Sequence, residues 1–218
     1  MSRDRLTGAL LLHTILTAAV LACASDTTLA ATAASDSTAR SAEVRTIAAW
    51  NQIALRTTAS GPFSPPRETR TMALLSAAVF DAVNSITQQY EAYAVRLRAD
   101  RTASIESAVA SASHHILVSL YPGATAALKV TYDSALTHVP AGPAKDAGIA
   151  LGRGVAAALL VMRSTDRADA AVSHTTESRI GVWTPTPPAF APALEAGWGR
   201  VTPFVLDSGS QFRPPPPP

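Results

Sequence analysis

Cysteine is almost absent from this sequence, whose 218 residues include a single one, Cys23. Because Cys23 lies in the apolar N-terminal stretch, the rest of the chain has no thiol for a disulfide framework or a cysteine metal site. Charged residues are also scarce, at 16%, and the formal net charge is only +2. This near balance of charges gives no electrostatic support for nucleic-acid binding.

Catalytic signature motifs are missing as well. No G-x-S-x-G or S-x-x-K pattern marks a serine nucleophile, and Ser208-Gly209-Ser210 is interpreted as a loop. Gly148, Gly152 and Gly154 fall in a predicted helix and lack the Lys-Ser/Thr pair that completes a phosphate-binding loop. The sequence therefore predicts no self-contained active site, and we assign no residue a catalytic, cofactor-binding or metal-binding role.

Hydrophobic residues, by contrast, are plentiful, at 47%. This content excludes a disordered chain, and the length suffices for one domain with a sizeable core. Residues 1–24 have a secretory-signal pattern, namely a basic start at Arg3 and Arg5, an apolar middle over 9–21, and the cleavage site Ala22-Cys23-Ala24. The pattern predicts export to the periplasm or the exterior, with no membrane span in the mature chain. Alternatively, Val20-Leu21-Ala22-Cys23 is an imperfect lipid-attachment box that would make a lipoprotein.

A low-complexity tether is predicted over residues 25–42, followed by an all-α bundle over 43–180. Apolar periodicity and breaker residues predict five helices, over residues 43–58, from Pro65 to about Ile86, and over 103–120, 124–138 and 144–163. Ser41 and Ser64 are the expected N-caps of the first two helices.

The first helix is expected to bury one stripe of residues and to carry Trp50 and Ile53 on its flanks; the stripe is Val44, Ile47, Ala48, Asn51 and Leu55. The fifth helix has a face of small residues, Gly148, Gly152 and Ala156, which predicts close packing against a neighbouring helix.

A Pro-rich, aromatic-bearing strap is predicted over residues 181–218. The prolines at 185, 187 and 188 exclude a helix or a central strand there, and Trp183 is the expected apolar anchor. The five final prolines are interpreted as a linker or a truncated end, although a polyproline helix that binds an aromatic groove is the alternative.

Two polar pairs are the candidates for chemistry. His114 and His115 are adjacent on a helix and point about 100° apart, which disfavours a shared metal ion and favours one half-buried and one exposed histidine. Asp81 and Asn84 interrupt the apolar second helix. A buried Asp81 needs partners, so we favour a structural role, as a cap or as the partner of an arginine such as Arg45 or Arg56, over a catalytic carboxylate.

With these residues in view, the chain resembles the N-terminal helical portion of bacterial vanadium-dependent haloperoxidase-like proteins, in the phosphatidic acid phosphatase type 2/haloperoxidase superfamily. The resemblance is carried by Trp50-Asn51, residues 77–84 and 108–114, Leu120-Tyr121-Pro122, residues 148–152, Arg163-Ser164-Thr165-Asp166, residues 181–190, Gly197-Trp198, Thr202-Pro203-Phe204 and Gln211-Phe212-Arg213-Pro214.

The resemblance implies an oxyanion site in the complete family member, where Lys, two Arg, a Ser-Gly backbone and His hold vanadate or phosphate. A second His is the axial ligand of vanadate, or the nucleophile in the phosphatases. With peroxide bound, vanadate can oxidise a halide. Cationic donors of this kind neutralise an oxyanion by charge-assisted hydrogen bonds.

This sequence departs from the family's lysine and arginine motif. At the family's spacing, Lys129 is followed by Leu136 and Lys145 by Gly152, while Arg213-Pro214 is preceded by Leu206.

The family's histidine motifs are missing too. Ser208-Gly209 continues with Ser210 instead of His, and Pro185 stands where a His should follow Ser178-Arg179. The sequence thus predicts a truncated or scaffold portion of a secreted haloperoxidase- or phosphatase-like protein, inactive alone, without vanadate or another cofactor. Its expected partner is a missing C-terminal catalytic half or a second copy. The alternative is a non-enzymatic exported helical interaction module.

Overall fold

A computed structural model of the chain describes residues 37–38, 40–175 and 180–215. The predicted signal peptide, Cys23, most of the predicted tether, Ser178-Arg179 and the last three prolines lie outside the described residues. The chain divides into two compact units, Met1–Arg45 and Thr46–Pro218. Residues 40–45 of the first unit are helical.

The described residues of the second unit form five α-helices. Helix α1 covers residues 46–59, and the others are α2 (Pro65–Thr87), α3 (Ile105–Leu120), α4 (Thr125–Thr137) and α5 (Pro143–Arg163). Two short 3-10 turns lie at Pro122–Ala124 and Trp198–Arg200. Within the described ranges the rest is turn and coil without a strand, which confirms the all-α prediction.

Helix α3 occupies the centre of the bundle, and α2, α4 and α5 all pack against it. Small residues let the neighbouring helices come close on several sides; those that are buried are Ser107, Ala108, Ala110, Ser111, Ala112 and Ser113. Larger side chains such as Val109, Ile116 and Leu117 fill the remaining space and are fully buried. Ser104 caps this helix by accepting a hydrogen bond of 3.2 Å from the backbone N–H of Ser107.

Helices α3 and α5 are in backbone contact at two glycines. A Cβ atom on Gly148 would lie 2.3 Å from the carbonyl oxygen of Ser104, and one on Gly152 would lie 2.2 Å from that of Ala108. The Ser111 hydroxyl donates to the carbonyl oxygen of Ile149 at 2.8 Å across the same interface. The predicted close packing at the small face of the fifth helix is therefore confirmed.

The predicted buried stripe of the first helix is wrong. Val44 is 61% exposed and Leu55 is 48% exposed, whereas Trp50 and Ala54 are buried in the core. The buried face follows the i, i+4 series Trp50, Ala54 and Thr58, because the indole is the largest apolar surface on this helix. Residues 40–45 are already helical, so Ser41 is not an N-cap, and its hydroxyl donates to the carbonyl oxygen of Ser37.

Ser64 precedes α2 as expected, but its hydroxyl forms no cap hydrogen bond. It donates instead to Glu195, in the segment that follows the bundle. Trp183 is not the anchor of that segment, because it is 47% exposed and its ring partner is His174, at 5.4 Å between centroids. Phe204 packs against the core in its place.

No helix in the described ranges has the length and apolar character needed to cross a membrane.

Candidate functional site

Asp81 is fully buried in the C-terminal half of α2, and its carboxylate holds the loop that leads to α3. Its Oδ1 accepts from the backbone N–H of Tyr93 at 2.7 Å, and its Oδ2 accepts from those of Ala94 and Val95 at 2.9 and 2.8 Å. The structural role predicted for Asp81 is therefore the one observed. Of the two suggested forms of that role, the cap agrees with the structure, since backbone N–H groups of the loop bind this carboxylate, and the pairing with Arg45 or Arg56 is wrong.

Asn84 completes this arrangement one turn later. Its side-chain amide donates to the carbonyl oxygen of Tyr90 at 2.7 Å and accepts from the backbone N–H of Tyr90 at 2.9 Å. The pair Asp81 and Asn84 thus fixes the start of the α2–α3 loop through backbone groups alone. Neither side chain is left to act on a substrate.

Tyr93, which this loop positions, contacts the C-terminal segment, by which we mean residues 180–215. Its hydroxyl donates to the carbonyl oxygen of Phe204 at 2.8 Å, and the two rings stack with centroids 6.3 Å apart. The Arg163 guanidinium lies 4.1 Å from the centre of the Phe204 ring. Such a cation–π contact is worth about 2 kcal/mol where water is excluded. Burial raises the pKa of Tyr93, which keeps its hydroxyl a neutral donor.

Asp166 is the centre of a buried ionic cluster at the end of α5. Its Oδ2 accepts from Arg70 Nε at 2.8 Å and lies 3.2 Å from an Arg163 terminal nitrogen. Arg163 also donates to the carbonyl oxygens of Thr202 and Pro203, at 2.5 and 3.1 Å. The cluster therefore binds α2, α5 and the C-terminal segment together. Breaking such a buried pair by removing one partner costs about 3–5 kcal/mol.

A second ionic cluster, at the N-terminus of α2, includes Glu195. The Glu195 carboxylate accepts from the Ser64 hydroxyl and from Arg67 Nε, at 2.5 and 2.7 Å, and Arg67 also pairs with Asp169 at 2.6 Å. The hydrogen bonds from Ser64 and Arg67 lower the pKa of Glu195. The hydrogen bond to Glu195 is the main cause that raises the pKa of Arg67.

His114 and His115 are both half-buried, so the expectation of one exposed histidine is wrong. The His114 ring stacks on Tyr132 of α4, with centroids 4.4 Å apart, and its buried Nε2 has no hydrogen-bond partner. Burial is the main cause that lowers the pKa of His114, and repulsion from His115 adds to it, while Asp133 opposes and Lys129 adds. Burial also lowers the pKa of His115, followed by repulsion from Arg153.

Replacing His114 with phenylalanine is expected to make folding less sensitive to acid. The folded chain protonates His114 less readily than the unfolded chain does. The contribution of His114 to the free energy of unfolding is therefore fully present above about pH 6.5 and is lost as the pH falls below that value. Phenylalanine keeps a ring against Tyr132 but has no proton site. Urea denaturation above and below the ordinary histidine pKa measures the difference.

His115 contributes in the same direction as His114, so some acid sensitivity should remain in His114→Phe. An identical pH dependence for His114→Phe and the wild type would contradict the assignment.

Comparisons with known proteins give one clear relationship. No protein-family model matches the chain, and no curated protein does. Among solved structures, the chain is similar to a bacterial vanadium-dependent iodoperoxidase, with a TM-score of 0.68 and 24% sequence identity. The match covers 80% of this chain and 45% of the iodoperoxidase chain. This chain has a vanadium haloperoxidase-like fold. At this identity the likeness establishes the fold alone, and the matched region spans less than half the length of the iodoperoxidase.

In the described part of this haloperoxidase-like fold, the two arginines of the Asp166 cluster bind internal partners, and Nε of Arg163 is their one buried nitrogen left without a partner. Arg70 and Arg163 share Asp166, and Arg163 is further bound by two backbone carbonyls. Among the described residues no three His, Cys, Asp or Glu side chains form a group that could hold a metal ion. Ser208 and Ser210 lie 3.3 Å apart through their hydroxyls in an exposed turn, as the loop interpretation predicts.

The Asp81–Asn84 pair and the Asp166 and Glu195 clusters are therefore suited to position chain segments. Arg70, Asp166 and Glu195 were missed as interacting residues, because the members of each pair lie far apart in sequence. The one available signal was Arg163-Ser164-Thr165-Asp166, which belonged to the family resemblance and contains two members of the cluster.

Proposed function

We propose that this chain is the helical scaffold portion of a secreted haloperoxidase- or phosphatase-like protein, and that the residues which bind vanadate or phosphate belong to a portion beyond it. The observation that carries the proposal is the fold-level match that covers 80% of this chain but 45% of the iodoperoxidase. The departures from the family's Lys, Arg-Pro and Ser-Gly-His motifs support it from the sequence side.

The surface of the C-terminal segment gives independent support. Large apolar side chains there are exposed, and they include Ile180, Trp183, Phe190, Leu194, Val205 and Phe212. Exposed apolar surface of this kind is typical of a face that contacts another protein portion. The bundle attaches this segment through Arg163, which binds the carbonyl oxygens of Thr202 and Pro203, and through Glu195, so these exposed side chains are carried on a segment that is fixed to the bundle.

The purified chain is expected to show no vanadate-dependent oxidation of iodide or bromide by peroxide, and no phosphatase activity. The physical reason is that Arg70 and Arg163 already donate to Asp166 and to backbone carbonyl oxygens, so an oxyanion would meet no convergent set of free guanidinium donors in this cluster. Spectrophotometric halogenation and phosphate-release assays measure this, with an active vanadium iodoperoxidase as the positive control. Turnover that increases with both vanadate and protein concentration would contradict the proposal.

The genomic sequence after codon 218 provides a second test. In one of its reading frames it should encode the Lys and Arg-Pro motif and a Ser-Gly-His motif. If nothing related follows, and the purified chain is monomeric and unfolds cooperatively, the exposed apolar face instead favours an exported interaction module without enzymatic activity.

A further inference from the structure

An apolar cleft of about 630 Å³ lies between α1, the end of α3 and α4. Ile53, Leu120, Tyr121 and Leu128 contribute its apolar walls. This volume is within the range of clefts that hold small-molecule ligands, about 300–1,000 Å³. The cleft shares no residue with the Asp166 and Glu195 clusters.

The main wall of the cleft, Tyr121, is fixed in place. Its hydroxyl is hydrogen-bonded to Thr71 at 3.2 Å, and its ring packs edge-on against Phe63 with centroids 5.1 Å apart. Gly61 lies directly against this ring, since a Cβ atom there would be 2.5 Å from it. The cleft is therefore preformed, which reduces the entropic cost of binding a ligand.

Two of the hydroxyl protons along the cleft are already used within the helices. Thr57 donates to the carbonyl oxygen of Ile53 at 2.8 Å, and Thr131 donates to that of Ala127 at 3.1 Å. Arg56 is the single charged residue that lines the cleft. In the part of the chain that the structure describes, no carboxylate lies within ion-pair distance of it.

We propose that this cleft binds a small amphiphilic carboxylate. The hydrocarbon part lies among Ile53, Tyr121 and Leu128, and the carboxylate pairs with the Arg56 guanidinium. Charge complementarity selects an anion, because the cleft offers one cation and no acid. The planar guanidinium fork suits a carboxylate, with which it forms two parallel hydrogen bonds.

Isothermal titration calorimetry of the purified chain with sodium decanoate tests this proposal, and decanol is the neutral probe. Saturable decanoate binding is expected. Arg56→Gln should weaken it about fivefold, which is the loss of affinity expected when a partly exposed ion pair is removed. Decanol should bind more weakly than decanoate and be insensitive to Arg56→Gln. Arg101→Gln, which removes an exposed arginine outside the cleft, should leave decanoate binding unchanged.

A second pair of variants tests the location. Ala127 and Ala126 are both exposed on α4, but only Ala127 lines the cleft. Ala127→Phe should therefore weaken decanoate binding at least about tenfold by filling the space, while Ala126→Phe should not. Far-UV circular dichroism confirms that each variant is folded.

Four results would overturn the proposal. Three of them are the absence of saturable decanoate binding by the wild type, equal affinities of Arg56→Gln and Arg101→Gln, and wild-type affinity in Ala127→Phe. A wild-type dimer that Ala127→Phe converts to a monomer would also overturn it, since the cleft would then be covered by a second copy.

Discussion

Gly152→Ala is expected to destabilise the protein by about 2 kcal/mol or more, because overpacking of a well-filled interface costs about 1–3 kcal/mol and occasionally more. The added Cβ atom would lie 2.2 Å from the carbonyl oxygen of Ala108 and 2.9 Å from the backbone nitrogen of Ala112. Both neighbours are backbone atoms, so no side chain can move aside and α3 and α5 must separate. Chemical denaturation followed by circular dichroism measures the loss.

Gly154→Ala is the matched control, two residues along the same helix. A Cβ atom on Gly154 would meet nothing within 4 Å. The substitution should therefore stabilise the helix by about 0.5–1 kcal/mol, the ordinary advantage of alanine over glycine in a helix interior. If both variants were stabilised alike, the close contact between α3 and α5 would be refuted.

The glycine interface could be predicted from sequence because its signal lies within one helix. Gly148, Gly152 and Ala156 recur every fourth residue, and that spacing places small side chains on one face. Bundle class and helix positions followed from local periodicity and from breaker residues in the same way. The boundaries differ by a few residues at most, as with α3, which begins at Ile105 instead of Ala103.

The attachment of the C-terminal segment could not be predicted locally. Arg67 pairs with Glu195 across 128 positions, and Arg70 pairs with Asp166 across 96. Nothing in the spacing of charges near either arginine indicates such a distant partner. Size and hydrophobicity favour Trp183 as the anchor, but Phe204 has that role because both Tyr93 and Arg163 contact its ring.

The site around Asp81 could be predicted only from the general rule that a buried charge requires hydrogen-bond or ionic partners. Asp81 had to be satisfied if it faced the core, and that requirement correctly indicated a structural role. The partners of Asp81 depend on the path of the α2–α3 loop, and this path cannot be predicted because the loop sequence has no periodic pattern. The family resemblance supplied the haloperoxidase-like fold, since no local pattern distinguishes that bundle from others.

Asp81→Ala is expected to cost about 3 kcal/mol or more of unfolding free energy. The substitution leaves the backbone N–H groups of Tyr93, Ala94 and Val95 without their acceptor, and each buried unsatisfied group costs about 1–3 kcal/mol. Relaxation of the loop toward water limits the sum. Because Tyr93 also supports Phe204, limited proteolysis should show earlier cleavage in the C-terminal segment than in the wild type.

Two further variants serve as controls. Asp81→Asn removes the charge of the carboxylate but keeps one hydrogen-bond acceptor, and Asp133→Ala measures the general effect of losing an acidic residue. An asparagine oxygen can retain the bonds from Ala94 and Val95 while its amide group faces Tyr93, so Asn should be destabilising but less so than Ala. Asp133 is half-exposed in an i, i+4 pair with Lys129, and its loss should cost only about 0.5 kcal/mol. Equal stabilities of Asp81→Ala and Asp133→Ala would mean that the loop is held without the buried carboxylate. The destabilisation should therefore decrease in the order Asp81→Ala, Asp81→Asn, Asp133→Ala. This order is expected only if Asp81 organises the loop through its two oxygens, and the loop in turn positions Tyr93 against Phe204.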